Sequence, residues 1–209
     1  MKRLCLFLVA GVLLSTSGFA ADVCPDITTI GALKSLPVDG CISGDKIFTA
    51  FSSNIADTVR VRLIETEGGP GPDNHGWNIR PVGGFGLGTF TFSYTISVDL
   101  VAAPMMRISQ AQLDAQGGLG AAYTATKVIN GGVYPTLNIN ESTPQDSAII
   151  EPLATALSIS DTLVVTVGRV YALSNTFAQF DTTVPEPTTL ALFGSGLLAL
   201  GFARRFRRR

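Results

Sequence analysis

Apolar and polar residues alternate one by one through much of the middle of the chain. The longest run is Thr89 to Leu100. Phe90, Phe92, Tyr94, Ile96 and Val98 fall on one side, and Thr89, Thr91, Ser93, Thr95, Ser97 and Asp99 on the other. A period of two, rich in aromatic and β-branched residues, predicts a half-buried strand. Thr58 to Glu65 repeats the pattern, with Val59, Val61 and Leu63 opposed to Arg60 and Arg62. Lys46–Phe51, Met106–Leu113, Ala121–Ile129, Leu153–Ile159, Thr162–Ala172 and Thr176–Phe180 read as further strands. Gly68 to Gly76 reads as a loop, because its Gly and Pro suit neither a helix nor a central strand. No stretch from Ala21 to Thr183 sustains a long helical period. Seven or more short strands with one apolar face each must bury those faces against one another. The expected fold is therefore all-β, a single β-sandwich over 21–183, with a barrel as the alternative.

The two ends break this pattern. Lys2 and Arg3 precede the apolar run Leu4–Leu14 and a small, polar stretch that closes on Gly18 and Ala20. The run is too short to span a bilayer and has the layout of a secretory signal peptide over 1–20, cleaved after Ala20. No lipobox cysteine follows directly. At the other end, Thr188 to Ala203 carries no charge and is followed by Arg204, Arg205, Arg207, Arg208 and Arg209. As a helix, residues 188–203 would be about 24 Å long, short of the ~30 Å hydrocarbon core. Snorkelling arginines would cover the deficit. The Arg cluster would stay cytoplasmic, leaving 21–183 outside. Pro185 and Pro187 hold Val184, Glu186 and themselves extended, so the helix starts no earlier than Pro187.

Charge follows the same division. The chain has 209 residues and a formal net charge of −1, with only 15% charged residues and 46% hydrophobic ones. Both termini are basic, and residues 22–186 carry 8 basic against 16 acidic side chains. An acidic middle excludes nucleic acid as a partner, since phosphate binding needs a basic face. Removal of the signal leaves two cysteines, Cys24 and Cys41, in an exported chain. They are expected to pair, for about 3 kcal/mol by loop closure.

Candidate chemistry is sparse. His75 is the only histidine, and it reads as a solvated loop residue. There is no nucleophile elbow, zinc-protease, P-loop or EF-hand signature, and Gly83–Gly88 precedes a strand rather than a helix. No metal or cofactor is expected. Glu65 and Glu67, or Asp73, would be the carboxylates of a polysaccharide-active hydrolase, but their setting reads as a solvated rim. Trp77, Tyr123 and Tyr134 read as packing aromatics rather than sugar platforms. The Thr/Ser row of the 89–97 strand is one strand, not the array that an ice-binding face needs.

Val184-Pro185-Glu186-Pro187, the Leu/Gly/Ala-rich span after it and the terminal Arg cluster resemble the PEP-CTERM sorting domain in order and spacing. That tail family is also labelled "ice-binding protein C-terminal domain". The resemblance covers 184–209, and the residues that carry over are Pro185, Glu186 and Pro187. It implies processing by an exosortase, an integral-membrane cysteine peptidase or transpeptidase of Gram-negative bacteria that commonly make exopolysaccharide or biofilm. Gly40–Phe48 resembles the opening of ectodomains in other such proteins and implies no activity. The expected protein is a non-enzymatic one, held at the inner membrane and then released to the surface or matrix, where exopolysaccharide is its partner. A secreted hydrolase and an ice- or surface-binding protein are the alternatives.

Overall fold

The computed structural model describes residues 21–66, 74–130 and 133–182. The expected signal peptide (1–20), Glu67 and Asp73, and the sorting tail with its expected membrane helix (188–203) lie outside the described residues. Among the described residues no helix is long and apolar enough to cross a membrane.

Among the described residues, thirteen strands and one helical turn follow in chain order: β1 (Asp22–Val23), β2 (Ile27–Thr29), α1 (Ile30–Lys34), β3 (Cys41–Ser43), β4 (Lys46–Ser53), β5 (Arg60–Thr66), β6 (Asn74–Arg80), β7 (Gly88–Val98), β8 (Met106–Gly117), β9 (Ala122–Asn130), β10 (Leu137–Asn140), β11 (Gln145–Ala154), β12 (Ala156–Val167) and β13 (Val170–Asp181). They form a seven-stranded sheet, β1-β3-β4-β7-β12-β9-β10, and a six-stranded sheet, β11-β8-β13-β6-β5-β2. The all-β expectation holds, and the two sheets share one core.

The alternation read from the sequence explains the layering. Phe92, Tyr94, Ile96 and Val98 of β7 are buried, while Thr91, Ser93, Thr95 and Ser97 face the half-exposed side. Val61 and Leu63 of β5 are buried between exposed Arg60 and Arg62. The sheets meet on aromatic rings. Phe48 of β4 packs edge-on against Trp77 of β6 at 5.1 Å, and Tyr94 of β7 meets Phe177 of β13 at 6.3 Å. Trp77 is fully buried and Tyr123 nearly so, as the packing reading expected.

Four expectations are corrected. β12 runs unbroken across Asp161, and the chain turns at Gly168, whose φ of 71° places it in the left-handed region. Leu153 belongs to β11, which begins at Gln145. Thr176–Phe180 is no separate strand but part of β13, paired along its length with β8. The expected loop ending at Gly76 gives way at Asn74 to β6, because Asn74 to Arg80 pairs with both β5 and β13. His75 is therefore a buried strand residue, not a solvated one.

Cys24 and Cys41 form the expected disulfide, with Cα atoms 4.8 Å apart. Between them the chain leaves β1 on one sheet, adds β2 to the edge of the other, makes α1, and returns to β3. Thr29 caps α1 by accepting from the Ala32 N–H at 3.2 Å. Ile30 and Leu33 bury the turn against the core. The disulfide thus ties a loop that bridges both sheets at one edge of the sandwich.

Candidate functional site

Three groupings of polar side chains stand out among the described residues, apart from the buried Lys46–Asp45–Gln179 contact. The first is on the outer face of the six-stranded sheet. Arg62 of β5 opposes Asn78 of β6, which opposes Ser174 of β13, which opposes Asp114 of β8. Period-two geometry sends all four away from the core. Arg80 donates from Nε to Asn78 Oδ1 at 2.6 Å, and Asn78 Nδ2 donates to Ser174 Oγ. Arg62, Ile64, Glu65, Asn78 and Arg80 line a shallow cleft of about 280 Å³. Beyond Arg62 it meets a second hollow, of about 490 Å³, bounded by Asp26 and Ile27 at the short edge strand β2. Arg62 and Arg80, the latter held by Asn78, line the cleft with two guanidinium groups, a chemistry suited to carboxylate or polyhydroxyl ligands. Farther along the row, burial pushes the Asp114 carboxyl up, against the lowering effects of the Gln112 amide and Lys127.

The second place is the inter-sheet contact around His75. Ser43 Oγ donates to Glu65 Oε1 at 3.0 Å and lies 3.1 Å from His75 Nδ1. Glu65 Oε1 lies 3.8 Å from the same ring nitrogen. The three side chains fasten β3 to β5 and β6, with Ser43 and His75 buried.

The third place lies inside the sandwich. Lys127 of β9, Asp161 of β12 and Asn175 of β13 occupy inward positions of otherwise apolar strand faces, and each is at most 1% exposed. Lys127 and Asp161 oppose each other across the β9–β12 pair. Lys127 Nζ is 3.1 Å from Asp161 Oδ1, donates to Asn175 Oδ1, and stands 5.0 Å over the Phe177 ring. Burial lowers the Lys127 ammonium and raises the Asp161 carboxyl, each partly countered by the other's charge. Burial, with the Asp161 charge beside it, also drives the Tyr94 hydroxyl well up. Sequence reading passed over this cluster. Its signal was present: a lysine, an aspartate and an asparagine stand at the inward parity of Tyr123-Ala125-Lys127-Ile129, Ile159-Asp161-Leu163 and Leu173-Asn175-Phe177.

Among the described residues no group of three His, Cys, Asp or Glu is placed to hold a metal ion. Of the residues singled out from sequence, the structure joins Cys24 to Cys41. Pro185, Glu186, Pro187 and the Arg204–Arg209 cluster lie outside the described residues.

Comparison with known proteins gives three results. No curated protein matches the chain. Among solved structures it is similar to that of TmCBM61 in complex with beta-1,4-galactotriose, at 12% identity over 64% of this chain and 88% of that one, with a TM-score of 0.32. A likeness that slight carries no argument about ligand. The family model for the PEP-CTERM protein-sorting motif matches residues 183–209. The tail read from Pro185-Glu186-Pro187, the uncharged span and the arginines is a PEP-CTERM protein-sorting motif, and the chain is a protein that bears one.

Proposed function

We propose that this chain is an exported surface or matrix protein, sorted and cleaved by an exosortase, whose β-sandwich engages exopolysaccharide without catalysis. The observation that carries the sorting reading is the match of 183–209 to the PEP-CTERM motif. The signal peptide read over 1–20 supplies export, and the uncharged 188–203 span with its Arg cluster supplies a temporary hold at the inner membrane. A 16-residue span is a poor permanent tether, and prolines on both sides of Glu186 suit a site read by a peptidase. The matrix reading draws on the Arg62–Asn78–Arg80 cleft, which suits the carboxylates and hydroxyls of an acidic polysaccharide.

The sorting reading is tested by producing the full chain in its host with and without the exosortase and measuring the C-terminal mass of the exported protein. Loss of the tail only where the enzyme is present is expected. A tail that persists in both, or is lost in both, overturns it. The matrix reading is tested by co-sedimentation of the exported protein with the host's own exopolysaccharide. Binding that survives Arg62→Ala/Arg80→Ala would remove the cleft from the account, and no binding by the unaltered protein would remove the polysaccharide.

A further inference from the structure

From the geometry of the buried cluster we infer that Lys127 and Asn175 become joined by an intramolecular amide bond, formed between Nζ and Cγ with Asp161 as the proton carrier. The bond would link β9 of one sheet to β13 of the other through the middle of the core.

Three observations carry this. The first is placement. A primary amine, a carboxamide and a carboxyl group converge within hydrogen-bond reach, each supplied by a different strand. The register holds Lys127 opposite Asp161, and inter-sheet packing brings Asn175 onto the same Nζ. Fixed proximity of this kind replaces a bimolecular encounter, and well-oriented groups reach effective molarities of about 10⁵ M or more. The second is dryness. The cluster is closed in by Phe177, Tyr94 and the apolar faces of β9, β12 and β13. Aminolysis therefore meets no competition from water. The third is unspent bonding capacity. The Tyr94 hydroxyl makes no hydrogen bond among the described residues, and Asn175 stands close enough to Asp161 to favour its carboxylate. A buried ion pair left as such is a costly arrangement, whereas a neutral amide buries no charge.

The protonation states suit the step. Burial favours the uncharged amine of Lys127 and the uncharged acid of Asp161. The Nζ lone pair adds to Cγ of Asn175. The carbonyl π pair moves to Oδ1, which takes the Asp161 proton. The Asp161 carboxylate then removes the extra proton from Nζ and delivers it to Nδ2. The Cγ–Nδ2 bond breaks, ammonia leaves, the carbonyl reforms, and the Oδ1 proton returns to Asp161. One C–N bond and one N–H bond are made and one of each is broken. No oxidant, reductant or cofactor enters, and Asp161 ends as it began.

The test is peptide mass analysis of the full chain as exported by its host, digested with trypsin. The expected product is a branched peptide joining the Lys127 and Asn175 segments, uncut after Lys127 and lighter than its two arms by one ammonia, ~17 Da. Asp161→Asn should give the two arms separately while the Cys24–Cys41 disulfide and the far-ultraviolet spectrum stay native. Asn175→Asp should restore a link that has lost water in place of ammonia. Separate peptides carrying a free Lys127 amine and an intact Asn175 amide, from natively folded unaltered protein, overturn the inference. So does a link from Lys127 to Asp161.

Discussion

Replacing both Cys24 and Cys41 by alanine removes a tie that spans both sheets. The two residues are 17 apart in sequence, and β2 and α1 lie between them. Loop closure of that length contributes about 3 kcal/mol by restricting the unfolded chain. The full amount reaches global stability only if the loop unfolds together with the rest. Its packing says that it does: Cys24, Ile30, Leu33 and Cys41 are all buried in the common core, and β2 pairs with β5 of the second sheet. A domain of this size has a net stability of about 5–15 kcal/mol, so the loss is a large share of it. The expected shift is about 6–12 °C in Tm, at ~2–4 °C per kcal/mol for a domain this long. Urea denaturation of the oxidised protein and of Cys24→Ala/Cys41→Ala reads both terms. The midpoint should fall, and the slope should rise because the untied chain exposes more surface. A loss below about 1 kcal/mol with an unchanged slope would refute the reasoning, since it would mean that residues 24–41 open on their own.

Other substitutions probe other links of the argument. Phe48→Ala removes a fully buried ring in contact with Trp77 and Tyr94 and should cost about 3–5 kcal/mol in chemical denaturation. Val101→Ala, at a position 95% exposed, should stay within about 0.5 kcal/mol. Gly40→Ala should lower the yield of folded protein, because φ is 69° and the new Cβ would fall 1.9 Å from the Phe48 carbonyl oxygen. Asp114 has its carboxyl pushed up by burial, so folding disfavours its charged form. That penalty is present above the folded pKa and gone below the unfolded one. The stability of Asp114→Asn should therefore exceed that of the unaltered protein near neutrality, with the gap closing as pH falls, as read from denaturation midpoints across the acid range.

Strand content was legible because it rests on alternation, which side-chain geometry alone enforces. Thr89 to Val98 could bury its aromatics only as a strand, and β7 does so. Boundaries were less legible. Asp161 interrupts an apolar run, and a local reading starts a new element there. In the folded chain Lys127 stands opposite Asp161 and Asn175 beyond, so β12 continues. His75 was misplaced for a similar reason. Gly and Pro upstream signal a loop, while the pairing that makes Asn74–Arg80 a strand comes from β5 and β13, about fifteen and about a hundred residues away in sequence.

What the sequence by itself determined is addressing and class. Pro185-Glu186-Pro187, the uncharged span and the arginines act as a contiguous word, readable without folding, and the family match at 183–209 bears that out. The period of two determined an all-β domain, and two cysteines in an exported chain determined the disulfide. Tertiary structure alone decided which polar side chains meet. Lys127, Asp161 and Asn175 are separated by 34 and 14 positions along the chain, and nothing local relates them. Sheet register aligns the first two, and the packing of one sheet on the other brings the third. Convergence of that kind depends on through-space distance, which a linear pattern does not contain until the sheets close.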